Sequence, residues 1–244
     1  AANLANLGIS TRIAGCVGQD AEASTLLALI NHLGIKSEAV IQSSARPTIA
    51  KTRIMSSHQQ IVRIDQESQS KFNDNENAEL HVLITRALQE KPSIVILSDY
   101  AKGVLSDAVC QSIIHACKEA KIPVLADPKG QDYSKYKGAT VLTPNKKETA
   151  EACGVAMHET EALLMAAKQL KEDLGLDFLA VTRGEEGISF IDDQHTAHIP
   201  ATAKKVFDVS GAGDTVIATL AAAPALLAAP ALVRAQGKPL TILL

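Results

Sequence analysis

Short β-branched or apolar runs alternate with stretches of helical periodicity along most of this chain. Residues 11–17 (TRIAGCV) form a β-favouring run, and residues 21–33 predict a helix closed by Gly34. Residues 93–97 (SIVIL) are a continuous apolar run between Pro92 and the polar pair Ser98-Asp99, as a strand buried on both faces requires. Ser106 reads as the N-cap of a helix whose stripe is Val109, Ile113, Ala116 and Ala120. Strands are predicted at 123–126, 140–142 and 178–182, with a helix striped by Leu163, Ala167, Leu170 and Leu174 before the last of them. Strands alternating with helices in this way predict parallel βαβ units in a doubly wound α/β sheet.

One segment breaks the rhythm. Residues 39–65 carry alternating β-branched and polar positions (Thr48, Ile49, Thr52, Ile54, Ile61, Val62, Ile64) and no helical signal. They predict a small antiparallel excursion that serves as a lid or an interface. Residues 66–77 read as a polar loop before a helix at 78–88. The ends are atypical: the chain opens in a helix-like pattern, and after Ala223 it becomes an Ala/Leu/Pro tract in which Pro224 and Pro230 interrupt helix. A domain over 1–223, incomplete at its start, followed by an atypical tail at 224–244, is the expectation. So is an exposed strand edge where an opening strand is missing, with lowered stability and activity.

Composition narrows the function classes. The chain has 244 residues, a formal net charge of −3, 46% hydrophobic and 21% charged residues, which is the make-up of a soluble globular protein. There is no basic block for nucleic acid. The longest apolar stretch, 220–233, is broken by two prolines and too short to span a bilayer. The first residues carry no secretory signal, so a cytoplasmic location is expected, with no nucleic-acid or membrane partner. Cys16, Cys110, Cys117 and Cys153 lack ligand spacing and read as packing residues, while His195 and His198 have no acidic or cysteine partner.

The strongest chemical signal is Asp208-Val209-Ser210-Gly211-Ala212-Gly213-Asp214-Thr215 before the apolar helix 216–223. Glycines at a helix start leave backbone N–H groups bare for an anion, and an Asp in the first turn can accept a proton from an attacking hydroxyl. Taken alone, this is also an ordinary capped helix start. Three polar segments follow successive predicted strands: Ser98-Asp99-Tyr100-Ala101-Lys102-Gly103, Asp127-Pro128-Lys129-Gly130 and Thr143-Pro144-Asn145-Lys146-Lys147-Glu148. Each fits a strand-end turn and helix cap; Asn145 and Glu148 suit an N-cap and N3 pair. Three in succession on one sheet edge point to a site.

Together these segments resemble the ribokinase-type carbohydrate kinases, with a Gly-Ala-Gly-Asp anion hole, an Asn-x-x-Glu motif and a nucleotide loop matched by Thr182-Arg183-Gly184-Glu185-Glu186-Gly187. Within that family, SDYAKG, ADPKGQDY, YKGATVLTPNKKE, VTRGEEG and PTIAKTR…QQIVRID are most similar to the kinase domain of bifunctional heptose-7-phosphate kinase/ADP-heptose synthases. The resemblance runs from about residue 1 to 223 and implies a ribokinase-like fold and ATP-dependent phosphorylation of D-glycero-D-manno-heptose 7-phosphate at C1, in lipopolysaccharide core biosynthesis. It implies Asp214 as general base and the Gly211, Ala212 and Gly213 amides as the anion hole. Asn145 and Glu148 would act near magnesium and phosphates, and Thr182, Gly184 and Gly187 against the nucleotide. Asp208 would help hold a monovalent cation such as potassium. Lys102, Lys51, Arg53 and Arg63 would meet the sugar phosphate, and the excursion would pair two subunits into a homodimer. Another sugar as substrate, or a catalytically inactive remnant, are the alternatives.

Overall fold

A computed structural model describes residues 1–57, 59–68, 72–202, 211–227 and 240–243. Helix α1 (Ala2–Asn6) leads into β1 (Thr11–Gly18), α2 (Ala21–His32) and β2 (Lys36–Ser43). Strands β3 (Ala50–Ser56) and β4 (Gln59–Gln66) precede α3 (Asp74–Gln89). Strand and helix then alternate through β5 (Val95–Ser98), α4 (Asp107–Glu119), β6 (Val124–Asp127), β7 (Val141–Leu142), α5 (Lys146–Cys153), α6 (Thr160–Leu174) and β8 (Phe178–Thr182). The hairpin β9 (Ile188–Ile191) and β10 (Thr196–Ile199) is followed by α7 (Ala212–Leu227) and β11 (Leu240–Leu243).

The main sheet has the order β10-β9-β8-β7-β6-β5-β11-β1-β2. Pairing is parallel from β8 across to β2 and antiparallel only at β9 and β10. Successive residues of a strand face opposite sides of the sheet, and here both sides are covered. Val95, Leu97, Val124 and Ala126 pack with Leu80, Ile84, Ile113, Cys117 and Ala167 of α3, α4 and α6. Ile96, Leu125 and Val141 pack on the other side with Leu4 and with Ile217, Ala218, Ala221 and Ala222 of α7. Two-sided burial is why these strands read as unbroken apolar runs. Burial pushes the Cys110 and Cys117 thiols up to about 12, so both behave as small hydrophobes.

Four expectations need correction. The excursion does not begin at Ala39: residues up to Ser43 belong to β2, because Ala39 and Ile41 point into the core. Only β3 and β4 form the separate antiparallel ribbon. The loop expected through Asn77 ends at Asn73, since Asn73 and Glu76 build a capping box that starts α3 at Asp74. Helix α7 runs past Pro224 to Leu227, held by the buried face of Ile217, Ala218, Ala221 and Ala222, so the lost hydrogen bond does not end it there. Finally, β11 lies between β5 and β1 and pairs with both, so the edge of β1 is not open. The sheet therefore includes residues on both sides of the boundary expected at 223.

Candidate active site

Because β5, β6 and β7 are adjacent and parallel, their polar carboxyl ends meet at one sheet edge, where open α/β sheets hold ligands. Asp99 anchors this edge. It is 5% exposed, and its carboxylate accepts bonds from the Ala101 amide (2.7 Å), the Tyr136 hydroxyl (2.6 Å) and the Lys135 ammonium. The Lys129 amide in turn donates to the Tyr136 oxygen at 3.2 Å, and the Asp99 amide donates to the Asp127 carbonyl at 3.1 Å. The loops after β5 and β6 are thereby tied together below the surface. On the far side of the first loop, buried Arg46 donates to the Lys102 carbonyl at 2.6 Å and lies 4.2 Å over the Phe72 ring. Gly103, at φ +97, makes room for it: a Cβ there would sit 3.1 Å from the Arg46 Nη1.

Helix α7 brings the second half of the site. Gly211 takes φ +76 at its start, and the Thr215 amide donates to the Gly211 carbonyl at 2.9 Å. The amides of Ala212, Gly213 and Asp214 precede that bond, in the turn where helical geometry supplies no acceptor. Open space surrounds the position of a Cβ on Gly213, so a ligand can approach the backbone there. Asp214 faces the sheet edge, and the Tyr100 hydroxyl donates to its Oδ1 at 2.9 Å. Gly211, Ala212, Gly213 and Asp214 thus join the strand ends, whereas Asp208 lies outside the described residues.

Asp127, at the end of β6, is the electrostatic centre of this edge. Burial raises its carboxyl to about 7, reinforced by the negative charges of Glu148 and Asp214 and opposed by Lys129. Asn145 and Glu148 form the capping box of α5, each side chain accepting from the other's backbone amide. The free oxygen of Glu148 accepts from the Lys129 ammonium at 2.8 Å, which pushes that lysine up. The loop 182–187 stands beside them: the Thr182 amide donates to the Pro144 carbonyl at 2.9 Å, and Glu186 takes Lys146 and Arg183 as partners. Gly184 (φ +61) has open space around it. Gly187 (φ +99) is demanded by the chain itself, because a Cβ would overlap the Ile199 carbonyl and lie 2.7 Å from the Ala201 nitrogen.

The ribbon contributes charge from one face. Lys51 stands opposite Asp65, and Arg53 opposite Arg63. Arg63 makes two 2.8 Å bonds to Asp65, and Lys51 reaches Asp65 (3.5 Å) and Glu67 (3.7 Å). Lys102 donates to Glu67 at 2.7 Å, so Lys51 and Lys102 converge on one carboxylate. Sequence reasoning counted these bases but missed Asp65 and Glu67 as their partners. Tyr100 and Asp127 carry no role in the sequence motifs, although their places, two residues past β5 and at the last residue of β6, are the available signal.

Bare amides at a helix start, a carboxylate beside them and basic groups across the edge suit transfer of an anionic group to a hydroxyl. Residues 1–240 match the pfkB family carbohydrate kinases. The chain belongs to that family. It is 61% identical over 222 residues to the "Bifunctional protein HldE" of Methylobacillus flagellatus, covering 91% of this chain and 46% of that protein. A protein of the same name from Campylobacter curvus is 48% identical over 218 residues, covering 89% and 46%. The chain thus spans about half the length of the curated relatives it matches. Among solved structures, Arabidopsis thaliana ribokinase complexed with ribose and ATP superposes with a TM-score of 0.70 at 22% identity, covering 91% of this chain and 72% of that one. Escherichia coli phosphofructokinase-2 in complex with potassium gives 0.74 at 18% identity, covering 89% and 70%. At these identities the two structures establish the shared ribokinase-like fold.

Proposed function

We propose that this chain transfers the γ-phosphoryl group of ATP to the C1 hydroxyl of D-glycero-D-manno-heptose 7-phosphate, giving the 1,7-bisphosphate on the way to ADP-heptose and lipopolysaccharide core. The observation that carries the chemistry is Asp214 in the first turn of α7, beside the first-turn backbone amides and facing the strand ends. The choice of sugar rests on the heptose-kinase-like segments and on the similarity to the HldE proteins. A cytoplasmic location accompanies that reading.

In the reaction, Asp214 accepts the hydroxyl proton as the sugar oxygen bonds to the γ-phosphorus. The bond from that phosphorus to the bridging oxygen breaks, and ADP leaves with the electron pair. The amides at 211–213 meet the charge on the transferring oxygens, and positioning supplies much of the acceleration. Asn145, Thr182 and Gly184 border the nucleotide, with Gly187 holding the loop's shape. Lys102, Lys51, Arg53 and Arg63 face the sugar phosphate, which would compete with Glu67 and Asp65 for Lys51, Lys102 and Arg63.

The residues fit a magnesium ion: burial and the neighbouring Glu148 and Asp214 charges hold the Asp127 carboxyl up, a repulsion that a cation relieves. Among the described residues no three or more His, Cys, Asp or Glu gather to hold a metal alone. Magnesium at phosphate sites is usually held by one or two carboxylates and the phosphates. Asp127 and Glu148 would hold it, and bound magnesium would neutralise phosphate charge. The potassium role of Asp208 belongs to the same reading, and no step passes through it.

Incubation of the chain with ATP, magnesium and heptose 7-phosphate tests this. Formation of ADP and the 1,7-bisphosphate is expected, with little turnover of ribose or fructose 6-phosphate. Preference for another sugar overturns the substrate, and failure to bind ATP–magnesium by titration calorimetry overturns the kinase reading.

The ribbon supports a homodimer. Thr52, Ile54, Val62 and Ile64 share the face opposite the charged one, and Ile64 is 55% exposed. A two-stranded ribbon is marginal alone, and a second copy would cover that apolar face. Ile54→Lys with Ile64→Lys is expected to shift sedimentation from dimer to monomer; an unchanged dimer would place the contact elsewhere.

A further inference from the structure

We propose that Tyr100 is a positioning residue for Asp214, holding one carboxylate oxygen so that the other is presented to the acceptor hydroxyl. This rests on Asp214 being the base of the reading above.

The geometry gives the two oxygens different surroundings. Oδ1 accepts from the Tyr100 hydroxyl at 2.9 Å. Oδ2 lies on the side of the Gly211 turn, 3.9 Å from where a Cβ on that glycine would stand. Oδ2 therefore sits on the side of the first-turn amides of α7, where the reading above stabilises the transferring group. A hydrogen bond to one oxygen biases the carboxylate against turning that face away. Catalytic bases are commonly oriented by a third group in this manner.

Tyr100 has a rigid mount. The residue before it, Asp99, is buried and bonded to Lys135, Tyr136 and the Ala101 amide. Ala101 is held at φ +56, a conformation a non-glycine residue adopts at a cost. One residue further, the Lys102 carbonyl is clamped by Arg46. The backbone on both sides of Tyr100 is fixed, so its half-exposed ring is an arm of set direction. Burial and the Asp214 charge push its hydroxyl up to about 12, so near neutral pH it stays a donor and does not compete for the substrate proton. The buried Asp99 network, which touches no substrate in this scheme, thereby acts through Tyr100 on the base.

Tyr100→Phe removes only the hydroxyl. The expected result is a fall in kcat of about 10- to 100-fold, the scale of a small misplacement of a reacting group. KM values for ATP and sugar phosphate stay within a few-fold. Combined with Asp214→Ala, it should add almost nothing to the loss from Asp214→Ala alone. A lowered sugar KM at unchanged kcat would show instead that Tyr100 obstructs the acceptor, and would overturn the proposal.

A second measurement needs no turnover. The chain has three tyrosines and no tryptophan, so its emission is tyrosine emission, which a carboxylate partner quenches. Asp214→Ala should raise emission in the parent and leave it unchanged in the Tyr100→Phe background; equal changes in both overturn the contact. Absence of sugar-dependent ADP formation by the parent chain, with the emission result as expected, is instead the failure of the kinase reading.

Discussion

Asp214→Asn is expected to lower kcat by on the order of 10²–10⁴, the usual loss for a positioned general base. Asparagine matches the carboxylate in size and can still accept from the Tyr100 hydroxyl, so the start of α7 keeps its shape. What disappears is the capacity to take the proton as the sugar oxygen bonds to phosphorus. The amides at 211–213 are backbone groups and remain in place, so ATP affinity should change little. Steady-state kinetics with parallel nucleotide titration make the check. A kcat within a few-fold of the parent would remove Asp214 from the base role, whereas equal losses of nucleotide affinity and rate would mean that the helix start itself had been disturbed.

Asp127→Asn is expected to stabilise the protein at pH 8 while impairing its activity. The carboxyl is raised from an ordinary value of 3.8 to about 7, chiefly by burial and then by Glu148 and Asp214. Between these values the folded state binds more protons here than the unfolded state does, so stability falls as pH rises through this window. Well below pH 3.8 both states carry the neutral acid and the site contributes no pH dependence. Above 7 the penalty is fully developed, and at ~1.4 kcal/mol per pKa unit it is bounded at a few kcal/mol. Asparagine imitates the neutral acid at every pH. The gain in denaturation midpoint should therefore be small at pH 4, grow through neutrality and level off near pH 8. Magnesium-dependent turnover should fall, because a group placed for cation binding is costly to an empty site. A variant less stable than its parent at pH 8 would contradict the electrostatic account of this sheet edge.

Much of the scaffold was legible because it depends on local pattern. Doubly buried strands must be apolar on both faces, so 93–97 and 178–182 announced themselves, and Ser106 and Asn145 are helix caps in the fold as their neighbours implied. The candidate residues on α7 and at the strand ends were legible for a related reason: glycine at a helix start and polar residues after a buried strand are local signals. Asn73 and Glu76 are an equally local signal, but they lie inside a polar run with the composition of a loop, and only the formed capping box separates helix from loop there.

The residues by themselves determined the α/β class, the parallel order of strand and helix, and the polar edge on which a phosphate chemistry can be built. Only the tertiary structure decided which strands are neighbours, and so that β11 lies between β5 and β1. It also decided that Lys51 and Lys102 share Glu67, that Tyr100 reaches Asp214, and that Asp127 sits among carboxylates. Periodicity reports which face of an element is buried, since burial is set by each residue's own polarity. Contacts such as Tyr100 with Asp214 join residues 114 positions apart. Their bonds and charge interactions depend on distances of a few ångströms that exist only once the sheet has brought its strand ends together.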